Sequence, residues 1–441
     1  MRFFIIILFC ILEYAGALYL NGLHYFLYTI FCLINVGLVY HLSIGNLRGK
    51  LIYIYVFTSW LIYNSLGFLH YELVTIVPQK IELIYCLFIA SSVLLYLPSL
   101  VMKKRATPIG LVTGINLNKK AIFILMGMSM FFKLFKIILA GGWHNYVYAA
   151  YGTKVESGYM TFFHLFEGIF GGVAVFLYPF IFSSRQKWLR LIFITYLLFT
   201  IVLGSVSGSS LSVLSPLISI FVYAFFQTQN TWKRKIYKKC LYLSMIVGII
   251  AGILIRINRA DNSDFQIESL RYAIDDIMLS PTFDNMVNLE WVICNLDPTY
   301  TCGQLIYPLI HFLPRAIFPW KPMELGAIVG LKFIGTSAEA RVGFIPSALG
   351  DFFYDFGYFG IFFGTLFVGC VIAKLQNLLN ASFKSNNNPF VLPVLIAVSG
   401  SFMMLPAWYT GSFNGLVNFL LFILVVRCVQ FFFVNKRNKR L

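Results

Sequence analysis

The chain has 441 residues, 59% of them hydrophobic and only 12% charged, and its formal net charge is +17. A mean hydropathy of +0.80, with 46 Phe and 26 Tyr, excludes a water-soluble domain, which would expose such side chains and aggregate. The positive charge sits in short clusters between apolar runs, a placement that argues against a nucleic-acid partner and for a topology signal.

In chain order, apolar runs long enough to cross a bilayer as helices are expected at 3–20, 25–43, 51–69, 81–101, 121–140, 161–183, 190–204, 211–227, 241–256, 350–373, 389–407 and 414–433. The first run resembles a signal peptide, with Ala15-Gly16-Ala17 as a small-residue site, but Glu13 is awkward in a signal core. It is read as a retained helix. Basic clusters at Arg48 and Lys50, Lys103–Arg105 with Lys119 and Lys120, Arg185–Arg190, Lys233–Lys239 and Lys436–Arg440 recur on one side of the alternation. Lysine and arginine resist translocation, so that side is cytoplasmic, and an even number of spans places both termini there. The expectation is an all-α polytopic membrane protein with about twelve spans: residues 1–256 form nine, 257–349 form one large external loop, and 350–441 form three and a basic tail.

Charges inside apolar runs are costly and need a partner or a polar cavity. Lys133 and Lys136 share a face of the fifth run, and His164 and Glu167 stand at similar depth in the sixth. Pairing with Glu167 and binding of a lipid diphosphate are both open for the two lysines. The short external loop after the fifth run carries Trp143, Tyr146, Tyr148 and Tyr151, which suit either stacking on sugar rings or an interfacial belt. Arg256 and Arg259 open the large loop three residues apart, on one face of a helix end. Cys294 and Cys302 in that loop are candidates for a disulfide in an oxidising compartment.

The stretch PLIHFLPRAIFPWKPMELG, residues 308–326, breaks the pattern. Pro308, Pro314, Pro319 and Pro322 argue against a regular helix. The apolar residues between them suit a re-entrant or interfacial segment, with Trp320 at headgroup level and Arg315 and Lys321 at the depth of phosphates. Arginine suits diphosphate because its planar fork grips oxygens bidentately.

An arginine, ten residues and a glycine run from Arg315 to Gly326, and SAEARVGFIPSALGDFFYDFGYFGIFFGTLFVG follows downstream. Together with the topology, this stretch resembles the bacterial O-antigen and related polysaccharide polymerases, the Wzy type. The resemblance covers roughly 308–370. It implies a GT-C-like, metal-independent glycosyltransferase of the bacterial inner membrane that needs no cofactor. Its substrates would be glycan repeat units on undecaprenyl diphosphate, and a chain-length regulator is a possible partner.

Such chemistry asks for charge neutralisation of a leaving diphosphate and a base for the attacking hydroxyl. Arg315 and Arg341 fit the first need and Glu339 the second, with a Glu339–Arg341 ion pair as the plain structural alternative. Lys321, Arg256, Arg259, Lys133 and Lys136 are candidates for further diphosphate contacts, and Trp320 and Trp143 for glycan contacts. The sequence departs from the family at GSVSGSSLS, where Ser210 stands in place of an expected arginine. No metal-ligand cluster, phosphate-binding Gly-rich loop or nucleophilic Gly-x-Ser-x-Gly motif is present in the sequence. A lipid-linked oligosaccharide flippase and an O-antigen ligase are the alternatives. The first lacks the internal repeat expected of transporters, and the second lacks the expected histidine pattern, since His311 is followed by Phe312.

Overall fold

A computed structural model describes residues 2–44, 47–74, 80–102, 117–139, 141–142, 166, 168–170, 173–183, 186–206, 217, 219–225, 228, 230–240, 243, 284–311, 313, 318–334, 346–384, 398, 402, 405–406 and 409–433. The described residues are helical and contain no strand. In chain order the main helices are α1 (Arg2–Tyr19), α2 (Gly22–Ser43), α3 (Leu51–Val74), α4 (Ile81–Val101), α5 (Lys119–Leu139), α6 (Val173–Ser183) and α7 (Lys187–Val206). After these come α8 (Asn285–Asn295), α9 (Gly303–Ile310), α10 (Leu325–Ile334), α11 (Ser347–Lys384) and α12 (Tyr409–Phe433). Residues 231–240 form a further short helix.

Six stretches among the described residues are long and apolar enough to cross a membrane: Gly22–Ser43, Leu51–Val74, Ile81–Val101, Lys119–Leu139, Ser347–Ala381 and Phe413–Phe433. Several such helices mark a membrane protein. Shorter apolar helices cover Ile5–Tyr19 and Gly168–Phe182. The expected spans at 211–227, 241–256 and 389–407 lie largely outside the described residues.

The chain folds as two interleaved units. The first takes Met1–Ala106, Ile274–Asn380 and Ser401–Asn414. Its core is a bundle of α1–α4 joined by α8, most of α11 and the beginning of α12. Glu13 is used here: its Oε2 accepts hydrogen bonds from Tyr25 at 3.2 Å and Thr29 at 3.0 Å, tying α1 to α2. Deeper in the bundle, Ser92 on α4 receives Asn35 Nδ2 at 3.0 Å and Trp60 Nε1 at 3.1 Å. Phe68 stacks on Tyr85 with centroids 3.9 Å apart. The side chain of Gln376 on α11 accepts the Ile52 amide at 2.7 Å, securing the start of α3.

The second unit takes Thr107–Ala273, Ala381–Gly400 and Gly415–Leu441. Aromatic packing dominates its described part. Phe132 stacks on Phe166 at 4.5 Å and Phe170 at 5.4 Å, and Phe176 meets Phe422 edge-on at 5.0 Å. One polar contact, Tyr196 to Ser129 at 2.9 Å, ties α7 to α5.

α11 is two helices run together. Phe356 (φ −141°) and Gly357 (φ 63°, ψ −147°) leave helical geometry, so Ser347–Asp355 forms a short first segment at an angle to the long apolar one. Gly357 occupies a conformation that L side chains rarely adopt. The break separates a short piece carrying Asp351 and Asp355 from the longer apolar length of the candidate span.

Candidate functional site

Three short helices fill the described part of the expected external loop, and all are joined to the first unit. α8 is fixed to the bundle at three points. Asp284 meets buried His70 at 2.5 Å, Asn285 Nδ2 donates to Asn64 Oδ1 at 3.0 Å, and Glu290 accepts the Lys80 amide at 2.6 Å. Asn285 also reaches the Pro406 carbonyl at 3.4 Å.

The next piece, α9, hangs from the broken helix. Asp355 is fully buried, and its two oxygens accept the amides of Gln304 at 2.9 Å and Leu305 at 2.8 Å. A carboxylate on the first free amides of a helix satisfies orphan donors and complements the helix dipole. Gln304 then links α9 to α10: its Nε2 donates to the Met323 carbonyl at 2.8 Å and its Oε1 accepts the Leu325 amide at 3.1 Å. Tyr409 from α12 donates to the Leu305 carbonyl at 3.3 Å. The connection before α9 lies on the break itself, with the Thr299 amide on the Tyr354 carbonyl at 2.8 Å.

Pro308 corrects an expectation. It lies within α9 rather than breaking it. A proline there removes a single amide, toward the Gln304 carbonyl four residues back, in a helix only two turns long. α9 ends at Ile310, and the chain then turns back on itself.

Lys321 closes that turn. It is 9% exposed, and its ammonium donates to the carbonyls of His311 and Leu313, the latter at 3.2 Å, while lying 5.4 Å from the Tyr307 ring centre. The ammonium, expected to contact diphosphate, is thus engaged with the backbone of its own loop. Between the clasped ends lies 314–317, the stretch that carries Arg315. His311 Nδ1 meets the Pro308 carbonyl at 2.9 Å. Burial holds the His311 pKa below its ordinary value; the Pro308 hydrogen bond opposes this and the Lys321 charge adds to it. Trp320 points outward, 66% exposed, with Phe318 edge-on at 5.6 Å. Ile306, Leu309 and Met323 are also exposed, which gives the segment an apolar outer side suited to a membrane interface.

Of the sequence-derived candidates, the structure places Lys321 and Trp320 together on this loop and Lys133 half-buried on α5, in the other unit. Arg315, Arg341, Glu339, Arg256, Arg259 and Trp143 lie outside the described residues, as do Glu167, His164, Ser210 and the side chain of Lys136. Cys294 and Cys302 are separate, exposed thiols, so the candidate disulfide is not formed. Among the described residues no group of His, Cys, Asp or Glu is arranged to hold a metal ion.

Asp355, Asp351 and Gln304 are absent from the sequence-derived candidates. Their signal is DFFYD, two acids four apart at the start of an apolar helix and therefore on one face. Asp351 is 4% exposed, and its Oδ2 has no hydrogen-bond partner. The arrangement ties the described residues on either side of the Arg315 stretch to each other and to the first unit. Comparison with protein families, curated proteins and solved structures finds no match to this chain.

Proposed function

We propose that this chain is a polymerase of lipid-linked glycan repeat units, working on the external face of a bacterial inner membrane with twelve spans and both termini in the cytoplasm. A hydroxyl of one repeat unit attacks the anomeric carbon of the glycan on undecaprenyl diphosphate. The new carbon–oxygen bond forms as the bond to the diphosphate oxygen breaks; the lipid diphosphate leaves with the electron pair, and a base takes the hydroxyl proton.

The observation that supports this reading best is the clasped loop. Asp355 and Gln304 fix α9 and the start of α10, and the Lys321 ammonium joins residues that flank Arg315 in sequence by donating to the His311 and Leu313 carbonyls. A leaving diphosphate gains most from cations that are already in place before charge develops. In this reading Arg315 and Arg341 take the diphosphate, Glu339 takes the proton, and Lys321 shapes the turn. Trp320, exposed beside the turn, offers a flat face to sugar.

The test is glycan display in a strain lacking the gene, complemented with variants. A polymerase deficit leaves single repeat units on their acceptor. Arg315→Ala and Arg341→Ala each abolish polymer while the protein stays expressed and inserted. Wild-type polymer from both variants overturns the reading, and complete absence of repeat units in the null strain points to a transporter or ligase.

A further inference from the structure

The turn between α8 and α9, residues 296–302, lies in the first unit and reads LDPTYTC. It is held at both ends and in the middle. The Leu296 amide closes α8 on the Val292 carbonyl at 3.0 Å, and Asp355 holds the first amides of α9. Between them, the amide and the hydroxyl of Thr299 both donate to the Tyr354 carbonyl, at 2.8 and 3.2 Å. The Thr301 hydroxyl lies 2.9 Å from that of Thr299. Pro298 packs on the break in α11, where a methyl on Gly357 would stand 3.3 Å from its Cγ.

In this frame Tyr300 has φ 51°, in the left-handed region. A non-glycine residue there is uncommon, and glycine or asparagine would take the conformation more easily. The ring gives the fold little: it is 73% exposed and, among the described residues, has no hydrogen-bond or ring partner. Backbone strain held in place by its surroundings is a mark of binding sites. The surroundings also select the class of ligand. Asp297, Thr299 and Thr301 are exposed in the same turn, whereas Leu296 is buried and Pro298 half-buried. The turn thus offers hydroxyls and a carboxylate but no exposed Leu, Ile or Val. Between Arg271 and His311 the chain carries five acids and no cation. Such a stretch repels an anionic headgroup, and a ring anchored in lipid would sit among apolar neighbours. A neutral polyol fits, with a flat ring for its carbon face and oxygens for its hydroxyls.

We propose that Tyr300 is a glycan-contact residue, its ring stacking on a sugar of the lipid-linked repeat unit while Thr301 and Asp297 take hydrogen bonds from sugar hydroxyls. This rests on the proposed function, to which it adds a sugar contact on the far side of α9 in sequence from Trp320.

The test compares two ligands on the full-length protein in mild detergent: undecaprenyl diphosphate bearing the repeat unit, isolated from the strain lacking the gene, and bare undecaprenyl diphosphate. Wild type binds the glycan-bearing lipid several-fold more tightly. Tyr300→Asn, which accepts a positive φ readily, removes most of that preference. It leaves binding of the bare lipid unchanged and the unfolding midpoint at or above that of wild type. Tyr300→Phe keeps the ring and with it the preference. An unchanged preference in the Asn variant, an equal loss of bare-lipid binding, an unfolding midpoint that falls with the ring, or a wild type that does not distinguish the two lipids each overturns the proposal. Normal polymer in the strain lacking the gene overturns the polymerase reading instead, and it is read from displayed glycan rather than from binding.

Discussion

The two units are held together differently. In the first, buried polar side chains pair across large sequence distances: Asn35 and Trp60 on Ser92, Asn285 on Asn64, Asp284 on His70, Asp355 on the amides of α9. In the second, the described core is mostly ring against ring, as in Phe132 with Phe166 and Phe170, and Phe176 with Phe422. Between helices in lipid there is no hydrophobic drive toward one partner over another, so packing and interhelical hydrogen bonds decide. Rings fill space and tolerate some sliding, whereas a hydrogen bond is made or lost over a fraction of an ångström. The unit that carries the loop site is therefore the one with its register fixed, as a preorganised site requires.

The sharpest break of this contrast is a volume change in the second unit. Phe176→Ala removes a fully buried ring and is expected to cost about 3–5 kcal/mol of stability, seen as a lower unfolding midpoint in detergent. On the proposed function, polymer made with the surviving protein keeps its length distribution. Next comes Asp355→Ala, which leaves the buried Gln304 amide and the part-buried Leu305 amide without their acceptor, at about 1–3 kcal/mol for the buried one and less for the other. Hydrogen exchange at Gln304 and Leu305 rises and, on the proposed function, polymer is lost even where the membrane bundle stays intact. Asp355→Asn keeps one carbonyl acceptor and falls between the two. If Asp355→Ala leaves both exchange and polymer unchanged, the loop does not depend on its anchor.

The long apolar helices are legible because hydropathy needs only the local sequence, and α2, α3, α4 and α5 lie close to their expected spans. The interleaving of the units is not legible. Apolar helices of similar hydropathy carry no label for their partners, and the contacts that choose them join residues as far apart as Ile52 and Gln376. At the loop, the turn and its cations are visible as PRAIFPWK, but a lysine that binds lipid phosphate and one that binds carbonyls of its own loop are written alike. Lys321 donates to carbonyls of its own loop. Prolines mark a turn well and a short helix poorly: Pro308 is tolerated inside two turns, while the turn itself follows Ile310. Asp355 is missed because its partners are backbone amides, which no side-chain motif records.

A smaller effect tests the polar side of the contrast. Asn285→Ala removes the link from α8 to Asn64 and is expected to cost about 1 kcal/mol, the scale of interhelical hydrogen bonds in membranes. Gly67→Ala approaches the same result from the other side, because a methyl there would stand 2.7 Å from Asn285 Oδ1 and push the amide off its partner. Both variants should lower the unfolding midpoint slightly and raise protease cleavage near 284–295. In the double variant the losses should not add, since both act on one contact.

The smallest expected effect is a pH dependence at the turn. His311 is neutral where it is buried, and its pKa lies below the ordinary value of 6.5. Unfolding releases it to take up a proton. Below pH 6.5 the unfolded state therefore binds more protons than the folded one, and stability falls as pH drops from there through the lowered value. Above pH 6.5 the contribution is fully present and flat. His311→Asn keeps a donor for the Pro308 carbonyl and cannot titrate, so it removes this slope. The measurement is local: exchange at the amides of His311 and Lys321, which close the turn with the carbonyls of Tyr307 and Phe318, followed from pH 7.5 to 5 (about one unit above the ordinary value to well below it). Wild type should lose protection on acidification faster than intrinsic exchange accounts for. The Asn variant should not, and an equal loss in both assigns the pH response to another group.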